Sequence, residues 1–154
     1  MGVRGRQGSP DGTGLTIGIV AARYNQEIVD ALLDGALAVL KARGARADPI
    51  LSVPGSFEIP VAARALADAG RVDAVICLGC VIKGETAHFE HVAEAAARGI
   101  LDVALATGVP CIFGVLATYT EDQARARLDK GGEAAEAAIE MANLLKQLRK
   151  GRKG

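Results

Sequence analysis

Apolar residues fall into two alternating rhythms from Leu15 to near the C-terminus. Leu15–Ala22 is a short, nearly unbroken, β-branched run of the kind that forms a strand. From Gln26 to Arg43, Ile28, Leu32, Ala36, Val39 and Leu40 recur at the spacing of one helix face, with Asn25 placed to cap its start and Gly44 to end it. Ala47–Val53 repeats the strand pattern and Pro54-Gly55-Ser56 turns the chain. A second helix then starts near Pro60, a residue suited to a first helical position, and stops at Gly70. Asp73–Ile82 is almost continuously apolar, as in a strand covered on both faces. An Ala-rich helix follows to about Thr107 and ends at Gly108, Val109–Leu116 is a fourth strand, Thr120 caps a short helix through Leu128, and Glu133–Lys150 is the last helix. The order βαβαβαβαα predicts an α/β fold, a four-stranded parallel sheet with right-handed crossovers and helices on both faces.

The 154 residues suit one domain, since a single core of this size buries roughly 70% of the unfolded chain's surface. We take 15–148 as that domain, 1–14 as a flexible polar lead and 149–154 (Arg149, Lys150, Arg152, Lys153) as a basic tail. The first 14 residues lack the apolar centre of a signal peptide, and no run approaches a membrane span. Cys77, Cys80 and Cys111 sit inside apolar runs and read as small buried hydrophobes in a reducing compartment, which points to the cytoplasm. Cys77 and Cys80 would lie on opposite faces of a strand, which disfavours a redox or zinc pair. The 18 basic and 18 acidic side chains cancel, so the chain has no charge footprint for nucleic acid or an anionic membrane.

With 3% aromatic residues and no Trp, the core must be aliphatic. Tyr24, Phe57, Phe89, Phe113 and Tyr119 lie in or beside the four segments that follow the strands: 23–25, 54–58, 83–89 and 113–120. Ligands of open α/β sheets bind outside the carboxyl ends of strands, so this placement fits a flat ligand that stacks; plugs for the sheet edge are the plainer alternative. Gly79–Thr86 is spaced like a nucleotide-binding P-loop but has Glu85 where that motif has its Lys, which argues against a nucleoside triphosphate. What remains is a site for one phosphate at a helix N-terminus, or an ordinary turn capped by Thr86. His88 and His91 lack the further ligands a zinc ion needs, so no metal is expected. His88, just past the loop, suits proton transfer, whereas His91 reads as structural. In Phe57-Glu58 a ring could face a heterocycle and a carboxylate could bind hydroxyls, or Glu58 is simply an early-helix acid. Arg127 and Lys130 are solvated cations by spacing alone, or a phosphate clamp and a partner for a ring carbonyl.

The segments IGIVAARYN, VPGSFEIP, GCVIKGETAHFEHV, PCIFGVL and EMANL, spread from Ile17 to Leu148, make the chain resemble the lumazine synthase (6,7-dimethyl-8-ribityllumazine synthase) family of riboflavin biosynthesis. The resemblance implies a flavodoxin-like, three-layer αβα fold. It also implies condensation of 5-amino-6-(D-ribitylamino)uracil with 3,4-dihydroxy-2-butanone 4-phosphate, two small-molecule substrates, releasing phosphate and water without a cofactor. Members of the family form homopentamers, in some cases built into decamers or icosahedral shells, with each site between adjacent subunits. Matched residue by residue, Tyr24 stands where the family stacks an aromatic on the pyrimidine. Asn25, Ser56, Phe57 and Glu58 fall where it binds the ribityl chain and ring, and Val81 and Ile82 where backbone groups meet the pyrimidine. Gly84, Glu85 and Thr86 match the phosphate loop, His88 the proton-transfer residue, and Phe113, Arg127 and Lys130 groups from the neighbouring subunit, with Arg127 at the phosphate. A catalytically weak lumazine- or flavin-binding scaffold of the same fold is the alternative. The chain departs from the family pattern in three places: Tyr24 for the usual Phe or Trp, Ala117-Thr118-Tyr119-Thr120 with no role for Tyr119, and a shortened turn between Arg127 and Lys130.

Overall fold

Four strands and five helices build the chain in a computed structural model that describes residues 4–151; Arg152 and Lys153 of the basic tail lie outside the described residues. In order they are β1 (Thr16–Ala22), α1 (Gln26–Arg43), β2 (Arg46–Val53), a 3-10 turn (Ser56–Glu58), α2 (Ile59–Asp68), β3 (Ala74–Ile82), α3 (His88–Thr107), β4 (Cys111–Thr118), α4 (Glu121–Arg125) and α5 (Lys130–Gly151). The strands are all parallel in the order β2-β1-β3-β4. Pro49, which has no N–H for a ladder, is accommodated because β2 is an edge strand, and the β1–β2 register shifts beside it.

Side-chain alternation along β1 and β3 divides the core in two. Ile17, Ile19, Ile76, Leu78 and Cys80 pack against α1 and α5, with Leu32, Leu40 and Ile139. Val20, Val75 and Cys77 pack against α2 and α3, with Ile59, Ala63 and Ile100. This is the three-layer arrangement expected, with Cys77 and Cys80 in different layers. The core is aliphatic, and its largest fully buried side chains are Ile, Leu and Val. No described helix is long and apolar enough to cross a membrane.

Two expectations are corrected. Helix α5 begins at Lys130, not Glu133, because Gly131 and Gly132 continue the helix where it crosses α1: a Cβ on Gly131 would strike the Leu32 carbonyl, and Gly132 lies against Gly35 and Val39. Two glycines that read locally as a turn are thus a close-packing surface. Helix α4 stops at Arg125, short of Leu128, closed at its start by a capping box between Thr120 and Gln123. Residues 8–12 and Arg149 make polar contacts with the helices. Asn143 Nδ2 donates to the carbonyls of Ser9 and Asp11, both at 2.8 Å, Gly12 N–H donates to the Arg43 carbonyl, and Gly8 sits against the Glu140 carbonyl. Arg149 extends α5 and donates to the Gly108 carbonyl at 2.7 Å, capping α3. Composition marks these segments as polar; their polar groups are engaged by the body of α5 and by the ends of α1 and α3.

Candidate active site

The chain leaves β1 toward β2 and leaves β3 toward β4, so connections diverge between β1 and β3. Such a switch point opens a crevice at the carboxyl end of a sheet. A cleft of about 450 Å³ lies there. Its first wall comes from the β1–α1 connection. Arg23 and Tyr24 N–H groups donate to the Val53 and Pro54 carbonyls, which carries Tyr24 to the turn after β2 with its ring 75% exposed. Asn25 adopts a left-handed backbone (φ 60°), and its carbonyl accepts from Ile28 and Val29 as α1 begins. Its side chain does not cap the helix; Nδ2 donates instead to the Cys80 carbonyl at 2.8 Å, across the switch point.

Gly55, Ser56, Phe57 and Glu58 form the second wall. Ser56 is 4% exposed, and a Cβ on Gly79 would collide with its Oγ, so glycine at that position of β3 lets the turn approach the sheet. Phe57 is held 61% exposed beside it. Val81 and Ile82, at the end of β3, make the floor, and Gly84, Thr86, His88 and Phe89 make the third wall. Helix α3 starts with no side-chain cap, and the Thr86 hydroxyl only approaches the His88 N–H at 3.4 Å. The cleft therefore ends at an open helix N-terminus, a place that favours anions. His88 is exposed at the first position of α3.

The candidates are not all brought together. Glu85 lies outside the cleft wall. Phe113, Arg127 and Lys130 line a separate, smaller cleft of about 280 Å³ beside β4, shared with Asp129 and Glu133. Arg127 is exposed there and donates through Nη1 to the Gln123 carbonyl at 2.8 Å, closing the end of α4. Aromatic rings and a polar turn thus share one cleft with an uncapped helix terminus, while Arg127 and Lys130 sit in another.

A model of the 6,7-dimethyl-8-ribityllumazine synthase family matches residues 14–146. The chain belongs to this family. It is 45% identical over 152 residues to the 6,7-dimethyl-8-ribityllumazine synthase of Thermococcus onnurineus, covering 96% of this chain and 100% of that one. To the enzyme of the same name from Deinococcus radiodurans it is 50% identical over 141 residues, covering 87% of this chain and 91% of the relative. Membership in the lumazine synthase family gives the flavodoxin-like description of the fold its footing.

Two wall residues escaped the sequence reading. Cys80 reads as a core hydrophobe and is 1% exposed, yet it borders the cleft because it is the last fully buried position of β3. Val92 lies one helical turn beyond His88 on the same face of α3, an i,i+4 relationship the sequence contains but the loop motifs draw attention away from. Burial pushes the Cys80 thiol up to about 11, with a smaller contribution from Glu121, so it lines the cleft as a neutral group.

Proposed function

We propose that the chain condenses 5-amino-6-(D-ribitylamino)uracil with 3,4-dihydroxy-2-butanone 4-phosphate to give 6,7-dimethyl-8-ribityllumazine, phosphate and water, and that residues 15–148 form the catalytic domain of a homopentamer. The separation of Phe113, Arg127 and Lys130 from the His88 cleft carries this reading: a cleft that ends at an anion-attracting helix terminus without a cation is completed when a neighbour brings its β4 face. The three free thiols suit the reducing cytoplasm as the place of action.

The roles follow from the chemistry. The ring faces of Tyr24 and Phe57 flank the pyrimidine, and backbone groups of Val81 and Ile82 bind its edge. Asn25, Ser56 and Glu58 bind ribityl hydroxyls and ring substituents. The phosphate rests on Gly84 and Thr86 and on the backbone N–H of Glu85, whose carboxylate stays outside the cleft wall, at the α3 terminus, with the neighbour's Arg127 as counter-charge and its Lys130 at a ring carbonyl. The 5-amino group attacks the ketone and a first water departs as the imine forms. A proton leaves the carbinol carbon beside the imine while the adjacent C–O bond breaks with its electron pair leaving on phosphate. The resulting enol becomes a ketone, and the ribitylamino nitrogen attacks that ketone with loss of a second water to close the ring. His88 takes and returns protons in these steps, and holding both substrates together supplies much of the acceleration.

Mixing the full chain with both substrates and following lumazine absorbance tests the proposal. Formation well above the uncatalysed background is expected. Stoichiometric binding of a lumazine or flavin without turnover would overturn the catalytic reading in favour of a scaffold.

A further inference from the structure

Tyr119 has no place in the proposed chemistry, yet its ring meets both ends of the phosphate loop. Its centroid lies 6.1 Å from that of Phe89, with the planes tilted by 43°, and Lys83 Nζ stands 5.5 Å from the same centroid. Lys83 is the first residue after β3 and Phe89 the second of α3, so one ring touches the segment on both sides of Gly84–His88. The base of the ring is fixed: Tyr119 N–H donates to Gln123 Oε1 at 2.9 Å inside the α4 capping box, and Lys83 N–H donates to the Thr118 carbonyl at 2.9 Å. The loop has little of its own to hold its shape. Gly84 is surrounded by open space, Glu85, Thr86, Ala87 and His88 are exposed, and among the described residues the only side-chain hydrogen bond within the loop is the 3.4 Å approach of His88 N–H to Thr86.

We propose that Tyr119 is a positioning residue that staples Lys83 and Phe89, holds the phosphate loop in its binding shape, and so sets affinity for the phosphate-bearing substrate. The inference rests on the functional reading above. An aromatic pair and a cation over a ring act between neutral or cationic groups and leave the loop's anion-binding N–H groups free.

The test compares wild type, Tyr119→Ala and Tyr119→Phe as full chains, with KM measured for each substrate at saturating partner and inorganic phosphate titrated by calorimetry. Tyr119→Ala should weaken inorganic phosphate and raise KM for 3,4-dihydroxy-2-butanone 4-phosphate by about tenfold, while KM for the aminouracil stays within about twofold, and Tyr119→Phe should restore both. Lys83→Gln, which keeps both rings, should give a smaller loss in the same direction and serves if Tyr119→Ala fails to fold. Unchanged phosphate affinity, equal losses for both substrates, or failure of Tyr119→Phe to rescue would overturn the proposal. Absent turnover in wild type with phosphate affinity still dependent on the Tyr119 ring would sink the catalytic reading alone.

Discussion

Asn25 Nδ2 donates to the Cys80 carbonyl across 2.8 Å, and this bond spans the two strands between which the cleft opens. The same residue holds a left-handed backbone at φ 60°, so it performs two tasks that substitutions can separate. Asn25→Gly keeps the backbone conformation and loses the bond, which should cost about 1–3 kcal/mol because the Cys80 carbonyl is left without this donor. Asn25→Ala loses the bond and also lacks the short polar side chain that lets asparagine tolerate the left-handed region, so relative to the Gly variant its Cβ adds about 1 kcal/mol. Urea unfolding midpoints of the three proteins check this; equal stability of the Gly and Ala variants would show that the backbone conformation is not a constraint.

Gly131→Ala tests the contact between α1 and α5. With a Cβ directed at the Leu32 carbonyl, the first turn of α5 must move away from α1, at a cost of about 1–3 kcal/mol as in other overpacked sites. Lys130 is displaced with it, so KM should rise along with the loss of stability. Gly70→Ala is the contrast: open space surrounds that position and only its positive φ resists, giving a loss near 1 kcal/mol with no change in KM. Calorimetric Tm values and steady-state kinetics decide, and a neutral Gly131→Ala would remove the packing argument.

These two sites also mark what could be read from the chain. Strand runs such as Ala74–Ile82 and the segments after them were readable because burial on both faces and turn chemistry are local properties of sequence. Tyr24, Phe57 and His88 stood out because each follows a strand, and all three line one cleft. Gly131 and Gly132 are ambiguous in the sequence because a glycine pair looks the same in a turn and against another helix; only the proximity of Leu32 and Gly35 distinguishes the two. Asn25 precedes a helix and so reads as its side-chain cap; its actual partner, the Cys80 carbonyl, is remote in sequence. The roles of Ser9, Asp11 and Arg149 were hidden for the same reason: their partners lie on α5, α5 and the end of α3, far along the chain.

Burial raises the thiol of Cys77 strongly, and those of Cys80 and Cys111 to about 11, above the ordinary value of 9.0. Below pH 9 folded and unfolded thiols are both protonated and contribute no pH dependence. Between about pH 9 and 11 the unfolded thiols release protons while the folded ones keep them, so the unfolded state gains and stability falls as pH rises. Tm should therefore hold between pH 7 and 9 on account of these groups and fall above it, and Cys80→Ala/Cys111→Ala should show a shallower fall. Identical slopes in the variant and wild type would assign the alkaline loss to other residues.

The division of cations from the His88 cleft gives the most direct test of a shared site. His88→Ala should lower kcat by about 10²-fold through loss of proton transfer. Arg127→Ala should raise KM for the phosphate-bearing substrate, because the counter-charge is gone while the helix terminus stays. Each variant damages a different face of the subunit, so a ring assembled from both contains some junctions where an intact His88 cleft meets an intact Arg127. With random mixing of equal amounts, both faces are intact at about one junction in four, so co-refolded protein assayed with the phosphate-bearing substrate far below the KM of the Arg127→Ala parent should recover about a quarter of wild-type activity, above the mean of the two parents. Light scattering on the same sample should report a pentamer or a multiple of it. If activity stays at the mean of the parents while the mass confirms mixed rings, His88 and Arg127 do not meet across a junction, and the proposed composite site fails.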